Sequence, residues 1–297
     1  MTTQNVLWRT ADPQRVAVRQ LAWVEGRRML RHPAPWIGLV LTVLWARDLG
    51  GETWSAERYE GLAVAPTPLL LGISLASLSA FAKERIPVAD EAPLGPARRA
   101  AARLLGGLPL VGLMLLVVVA GEVWLRLGGG IGLGDEPGHT DHAHFSVPEL
   151  LQPVLLSALA VAVGATAVHT IRHRLAAAIA LFLGWFLLST YWLFNGAVVR
   201  WLTPIQVQPL YVEAGPASTD PTTFPSDWLL LAPSDWQDHW ARLVVSPSLA
   251  AWHDVYLVAL TALAMGAVIP GRGRRPLLLA GALLGVAAVL LQRMVTP

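Results

Sequence analysis

Seven long apolar runs alternate with polar connectors along this chain, and the basic residues are shared very unevenly among those connectors. The runs lie at 34–51, 62–82, 104–126, 149–170, 175–199, 250–270 and 276–292. Each is close to the ~20 residues that a helix needs to cross a ~30 Å hydrocarbon core. Sixteen of the 22 Lys and Arg residues fall in one class of connector: Arg9, Arg15, Arg19, Arg27, Arg28 and Arg31; Lys83, Arg85, Arg98, Arg99 and Arg103; Arg172 and Arg174; Arg272, Arg274 and Arg275. The other class holds Arg47, Arg58, Arg126, Arg200, Arg242 and Arg293, most of them at span ends. Basic residues stay on the cytoplasmic side, so this alternation predicts a multi-pass membrane protein with its N-terminus inside and, after seven spans, its C-terminus outside.

Charge bookkeeping agrees. Hydrophobic residues make up 54% and charged residues 14% of the chain, against about 25% charged in a soluble domain. The formal net charge of +2 hides a polarity: the connectors assigned to the cytoplasm carry 16 basic and 5 acidic residues, +11, and the remainder 6 basic and 15 acidic, −9. The basic side is suited to anionic lipid headgroups, so membrane lipid is an expected partner. The basic balance therefore reflects topology, and no Lys/Arg run interleaved with stacking aromatics points to nucleic acid.

The chain has no cysteine, which excludes disulfides, thiolate metal sites and cysteine nucleophiles. Its first 33 residues are polar and Arg-rich without an apolar core or a small-residue cleavage site, so the first span is expected to act as the insertion signal. Residues 1–33 read as a cytoplasmic leader followed by a basic helix over 13–32, either an interfacial helix with Arg stems reaching headgroups or an ordinary juxtamembrane segment. Pro33 and Pro35 break it. Residues 34–297 form the transmembrane domain, so the fold class is all-α: a polytopic helical bundle of about six to seven spans.

The connectors differ in kind. KERIPVADEAPLGPARRAAARLL, starting at Lys83, is the longest interior one, with Pro87, Pro93 and Pro96; after Pro96, Ala and Arg favour a helix running into the third span. Spans four and five are joined by a tight turn at Arg172-His173-Arg174 and are expected to form a hairpin, as are spans six and seven around 271–276. The extracytoplasmic loop 200–249 has seven prolines with Trp201, Trp228, Trp236 and Trp240, a pattern that predicts short amphipathic pieces on the outer membrane surface.

Few residues offer chemistry. The Gly run at 128–134 is a flexible loop, because no strand precedes it and no helix with an acidic partner follows. No G-x-x-x-x-G-K-[ST] exists and Lys83 is the sole lysine, so any ATP-driven step needs an ATPase on another chain. His139, Asp141, His142 and His144 lie within six residues of exterior loop. Such a set can hold zinc or copper; the glycine-flanked setting favours a solvated polar loop, and no metal ligand is assigned. Ionisable residues at membrane depth are functional candidates, and three stand near span ends: Glu122 towards the outer end of span three, Glu149 opening span four and His169 near its inner end. Helix-end roles are expected for all three. Asn195 can hydrogen-bond between helices. Ser157 and Ser189-Thr190 are isolated hydroxyls, no G-x-S-x-G or H-E-x-x-H occurs, and no catalytic residue is assigned.

Two stretches carry a family resemblance. LAWVEGRRMLRHPAPWIGLVL places Glu25, Arg27, Arg28 and Arg31 ahead of a proline-marked start of span one. ERIPVADEAPLGPARRAAARLL places Asp90-Glu91 before a proline-bearing stretch and then Arg98, Arg99 and Arg103 at the opening of span three. Together they resemble the permease subunit of an ABC-type exporter whose ATPase is a separate polypeptide; seven apolar runs stand where the common pattern has six. The resemblance implies that the first stretch is an elbow helix and that the 83–103 connector docks on the ATPase, with Glu84, Arg85, Asp90, Glu91, Arg98 and Arg99 as coupling residues. It implies no cofactor in this chain, ATP and Mg on the partner ATPase, and a second permease copy or homologous permease. High Ala, Leu, Gly and Arg usage with a single lysine points to a high-GC bacterium, so the expected location is a bacterial cytoplasmic membrane. A sensor, an assembly factor or a secondary transporter is the alternative.

Overall fold

The structure, a computed structural model, describes residues 13–49, 55–82, 94–132, 142–190, 201–205, 210–216, 218–223, 228–230, 239–244 and 247–295. The helices are α1 (Pro13–Leu30), α2 (Pro33–Leu49), α3 (Ser55–Val64), α4 (Thr67–Ala82), α5 (Pro96–Leu105), α6 (Leu108–Leu127), α7 (Val147–Thr170), α8 (Arg174–Ser189), α9 (Pro247–Val268) and α10 (Arg274–Val295). Among the described residues, five helical segments are long and apolar enough to cross a membrane: Gly61–Ala82, Pro96–Leu127, Val147–Thr170, Pro247–Val268 and Gly271–Val295. The expectation of seven spans reaches further than this. Helices α2 and α8 are apolar but only 17 and 16 residues long, roughly 25 Å of helix each.

Helices α4 and α7 form the centre. In α4 and in α7, 61% of the span window is buried, against 17% for the last segment. Small residues let the two backbones touch: a Cβ on Gly164 of α7 would lie 2.2 Å from the Ser74 carbonyl oxygen of α4. Without a hydrophobic drive between helices in lipid, such close approaches and interhelical hydrogen bonds hold a bundle together. Ser74 Oγ donates to the Ala160 carbonyl at 3.1 Å and Ser77 Oγ to that of Val161 at 2.6 Å. Both numbers rise together along the two helices, so α4 and α7 run parallel.

The outer helices attach in pairs. Helix α2 lies antiparallel on α4, α6 antiparallel on α7, and α9 packs on the other side of α7. Thr166 Oγ1 reaches the Ala264 carbonyl of α9 at 3.2 Å. The expected hairpin of the last two helices is present: α9 and α10 pack along their length. The other expected hairpin is corrected. A tight turn does join α7 to α8, but α8 leaves α7 and packs on α4, where buried Trp185 donates its indole N–H to Ser74 Oγ at 2.9 Å.

These directions collect the connectors 31–32, 171–173 and 269–273 at one end of the bundle, with the Arg residues that flank them; this is the basic end. The opposite end carries two small sheets, which the all-α reading did not contain. Strands β1 (Ile131–Gly132) and β2 (His142–Ala143) pair antiparallel, so the Gly-rich loop closes as a hairpin. Strands β3 (Leu210–Pro216), β4 (Trp228–Leu230) and β5 (His239–Val244) form an antiparallel sheet in the order β3-β5-β4. The described parts of 200–249 thus include short extended pieces joined in a sheet. Runs such as Leu-Tyr-Val and Trp-Leu-Leu, set between Gly and Pro, favour a pleated sheet once a partner strand is close.

Candidate functional site

At the basic end, the elbow-like α1 buries one stripe, Glu25, Gly26 and Met29, while Trp23 and Val24 stay exposed. The stripe crosses the α5–α6 junction where backbones nearly touch: a Cβ on Gly26 would sit 3.0 Å from the Gly106 carbonyl oxygen, and one on Gly106 3.0 Å from that of Ala22. That closeness brings Glu25 between two cations, Arg28 Nη1 at 3.3 Å and Arg103 Nε at 3.5 Å. The Arg103 guanidinium also lies over the Phe81 ring, 6.0 Å from its centroid. Arg174 Nη2 donates to the Ala82 carbonyl at 2.9 Å, completing the C-terminus of α4 immediately before the 83–103 connector.

Helix α5 opens at Gly95-Pro96 and, after the Gly106-Gly107 turn, runs on into α6. The combined 32 residues exceed a ~30 Å core by more than a third at ~1.5 Å per residue. The Arg-rich α5 therefore stands outside the hydrocarbon. Of the coupling residues expected from the sequence, Arg98 is exposed and Arg99 half-buried on α5. Glu84, Arg85, Asp90 and Glu91 lie outside the described residues.

At the opposite end, α2, the α3–α4 corner, α6 and the start of α7 surround a cavity of about 140 Å³. Its wall is apolar, with Ala46, Leu62, Ala63, Pro66, Val117, Val118 and Phe145, interrupted by Thr42, Glu122, Glu149 and Gln152. The two carboxylates are used differently. Glu149 Oε1 accepts the Tyr59 hydroxyl at 2.5 Å and Oε2 accepts the Ser146 backbone N–H at 2.7 Å, half of a capping box written as Ser146-x-x-Glu149. Burial first, then the Glu149 carboxylate, push the Tyr59 phenol well above its ordinary range, so it stays a donor. Glu122 binds Arg126 Nε through Oε1 at 2.5 Å. Its Oε2 is buried without a partner among the described residues. The helix-end positions expected for Glu122 and Glu149 hold, but sequence reasoning missed both their convergence on one cavity and Tyr59. The third candidate, His169, is exposed and stands edge-on to Phe81 at 6.5 Å.

A second polar cluster was also missed. His253 and Asp254 are buried in α9, inside a run read as apolar. His253 Nε2 faces the Pro204 carbonyl at 3.0 Å and Nδ1 faces the Gln292 side chain of α10 at 3.2 Å, while Tyr256 donates to the Leu202 carbonyl at 2.8 Å. The atom facing Nδ1 is Gln292 Oε1, so the ring has an acceptor oxygen at each nitrogen, and a neutral imidazole can donate to only one of the two. With Arg293 over the Trp201 ring at 6.0 Å, the cluster pins residues 201–205 to the ends of α9 and α10. The His-Asp pair in an otherwise apolar run was its visible signal.

Among the described residues no three His, Asp or Glu side chains are grouped to hold a metal ion. Of the His and Asp residues at 139–144, His142 and His144 are exposed, and His139 and Asp141 lie outside the described residues, as does Asn195. No family model, curated protein or solved structure matches this chain.

Proposed function

We propose that this chain is the membrane-spanning permease subunit of an ABC-type exporter, set in a bacterial cytoplasmic membrane with its basic end inside. In this reading it is paired with a second permease and driven by a separate ATPase gripping the 83–103 connector. The observation that carries the reading is the lock between α1 and α5. Glu25 of the elbow-like helix and Arg103 of the helix that follows the connector form a buried ion pair, at the close Gly26–Gly106 crossing. A push on the connector therefore reaches α1 and α6 together. Coupling of two sites needs such an element, whose position both sites bias.

Purification of the tagged chain from its native membranes tests this: a P-loop ATPase should copurify. Reversing Asp90 and Glu91 to Lys should release it and lower transport-stimulated ATP hydrolysis while the chain still inserts, because the apolar runs that direct insertion are unchanged. The reading fails if no ATPase accompanies the unaltered chain and deleting any neighbouring ATPase gene changes no phenotype.

A further inference from the structure

We propose that the cavity between α2 and α6 binds a single alkyl chain ending in a protonated amine, with the ammonium group held at Glu122 Oε2 and the chain lying along Val118 and Val117. Four observations lead there. The Glu122 side chain is only 10% exposed, lines the cavity, and has one oxygen satisfied by Arg126 and one oxygen without a partner among the described residues. A buried carboxylate oxygen left unpaired is costly, so among the described residues this carboxylate is one donor short. Thr42 repeats the pattern on the facing wall: it is 3% exposed, and its Oγ1 has no partner among the described residues.

The charge is the second observation. Arg126 projects outward, its side chain 63% exposed, and among the described residues no Lys, Arg or His lines the cavity. Glu149 spends both oxygens on Tyr59 and Ser146. The free Glu122 Oε2, with no donor among the described residues, favours a cationic donor over a neutral or anionic group. The third is depth. Glu122 lies five residues before Leu127, the end of α6, roughly 7.5 Å along the helix, at the level where headgroups meet acyl chains. The fourth is shape: Val118 and Val117 lie about one helical turn deeper than Glu122, and the rest of the wall is almost wholly apolar. An ammonium supplies three donors at the rim, and the first few methylenes of the chain fill a cavity of about 140 Å³, a volume that holds one benzene-sized group, with the rest of the chain leaving it for the bilayer. A membrane lipid with an ethanolamine head and a free cationic amphiphile share this chemistry.

The test uses the full chain alone in phosphatidylcholine nanodiscs, so it is independent of any ATPase. A dodecylamine bearing a diazirine about five carbons from the amine, the reach of roughly one helical turn, should label peptides that contain 117–118 or 62–66. Unlabelled dodecylamine should displace it at concentrations at least about tenfold lower than dodecanol, the margin of one charge-assisted hydrogen bond, and dodecanoate should not displace it. Glu122→Gln should abolish the preference for the amine and leave dodecanol unchanged. Gly121→Phe, whose Cβ meets nothing within 4 Å, should weaken displacement by both without disturbing the fold. Lipid extracted from protein purified in native membranes separates the sources: enrichment of ethanolamine lipid that disappears in Glu122→Gln marks a resident lipid, and binding of dodecylamine without such enrichment marks a free amphiphile. The proposal is overturned if Glu122→Gln keeps the amine preference, if labelling falls elsewhere, or if dodecanoate competes as well as dodecylamine.

Discussion

Glu25 Oε1 lies 3.5 Å from Arg103 Nε, with the two side chains only 7% and 13% exposed. Neither charge has ready access to water, and Arg28 approaches the same carboxylate. Removing the carboxylate takes a partner from both cations, whereas removing the whole pair leaves no broken Glu25–Arg103 contact. Glu25→Ala should therefore destabilise the protein by about 3 kcal/mol, read as a loss of thermal stability in detergent. Glu25→Gln combined with Arg103→Gln should cost clearly less than the two single changes added together, since contacting residues are not additive.

Ser74 links three helices, donating to Ala160 on α7 and accepting from Trp185 on α8. Ser74→Ala leaves a buried indole N–H without an acceptor and should cost about 1–3 kcal/mol. Trp185→Phe in the Ser74→Ala background should recover part of that loss. Thermal melts of the three variants decide it; equal stability of Ser74→Ala and the unaltered chain would mean the indole finds another acceptor.

His32 sits in the corner between α1 and α2, where its Nδ1 accepts the Ala34 N–H at 3.3 Å and Trp36 closes onto the Leu30 carbonyl. Burial lowers its pKa below the ordinary 6.5. The folded state thus binds fewer protons than the unfolded state just below pH 6.5, and stability falls as pH drops from 6.5 towards the lowered value. Stability above that window is unaffected. Melts between pH 8 and pH 5, on the order of the range where imidazoles titrate, should show a steeper acid-side decline for the unaltered chain than for His32→Ala.

The cysteine-free sequence permits a direct topology test. Gly95 and Gly273 are exposed, and a Cβ at either meets nothing closer than 3.5 Å; Ser218 is exposed in the loop between α8 and α9. In intact cells, cysteines at 95 and 273 should be shielded from a membrane-impermeant thiol reagent and one at 218 should react. Labelling of position 273 from outside would reverse the orientation inferred from the Arg distribution.

The chain's apolar runs and Arg placement determined the helical bundle, the basic end, the α9–α10 hairpin and the single rise of α5 into α6. These follow from segment length and charge, which are local properties of a chain meeting a bilayer. The tertiary structure decided which helices touch. To lipid, all apolar helices look alike, so pairing depends on close backbone approaches such as Gly164 on Ser74 and on buried bonds such as Trp185 to Ser74. That is why α8 packs on α4 although its nearest neighbour in sequence is α7. It is also why Tyr59, Glu122 and Glu149, unremarkable as separate helix-end residues, meet around one cavity. The sheets at the same end depended on strands that acquire their pairing only when the bundle brings loop ends together, a contact that no local pattern records.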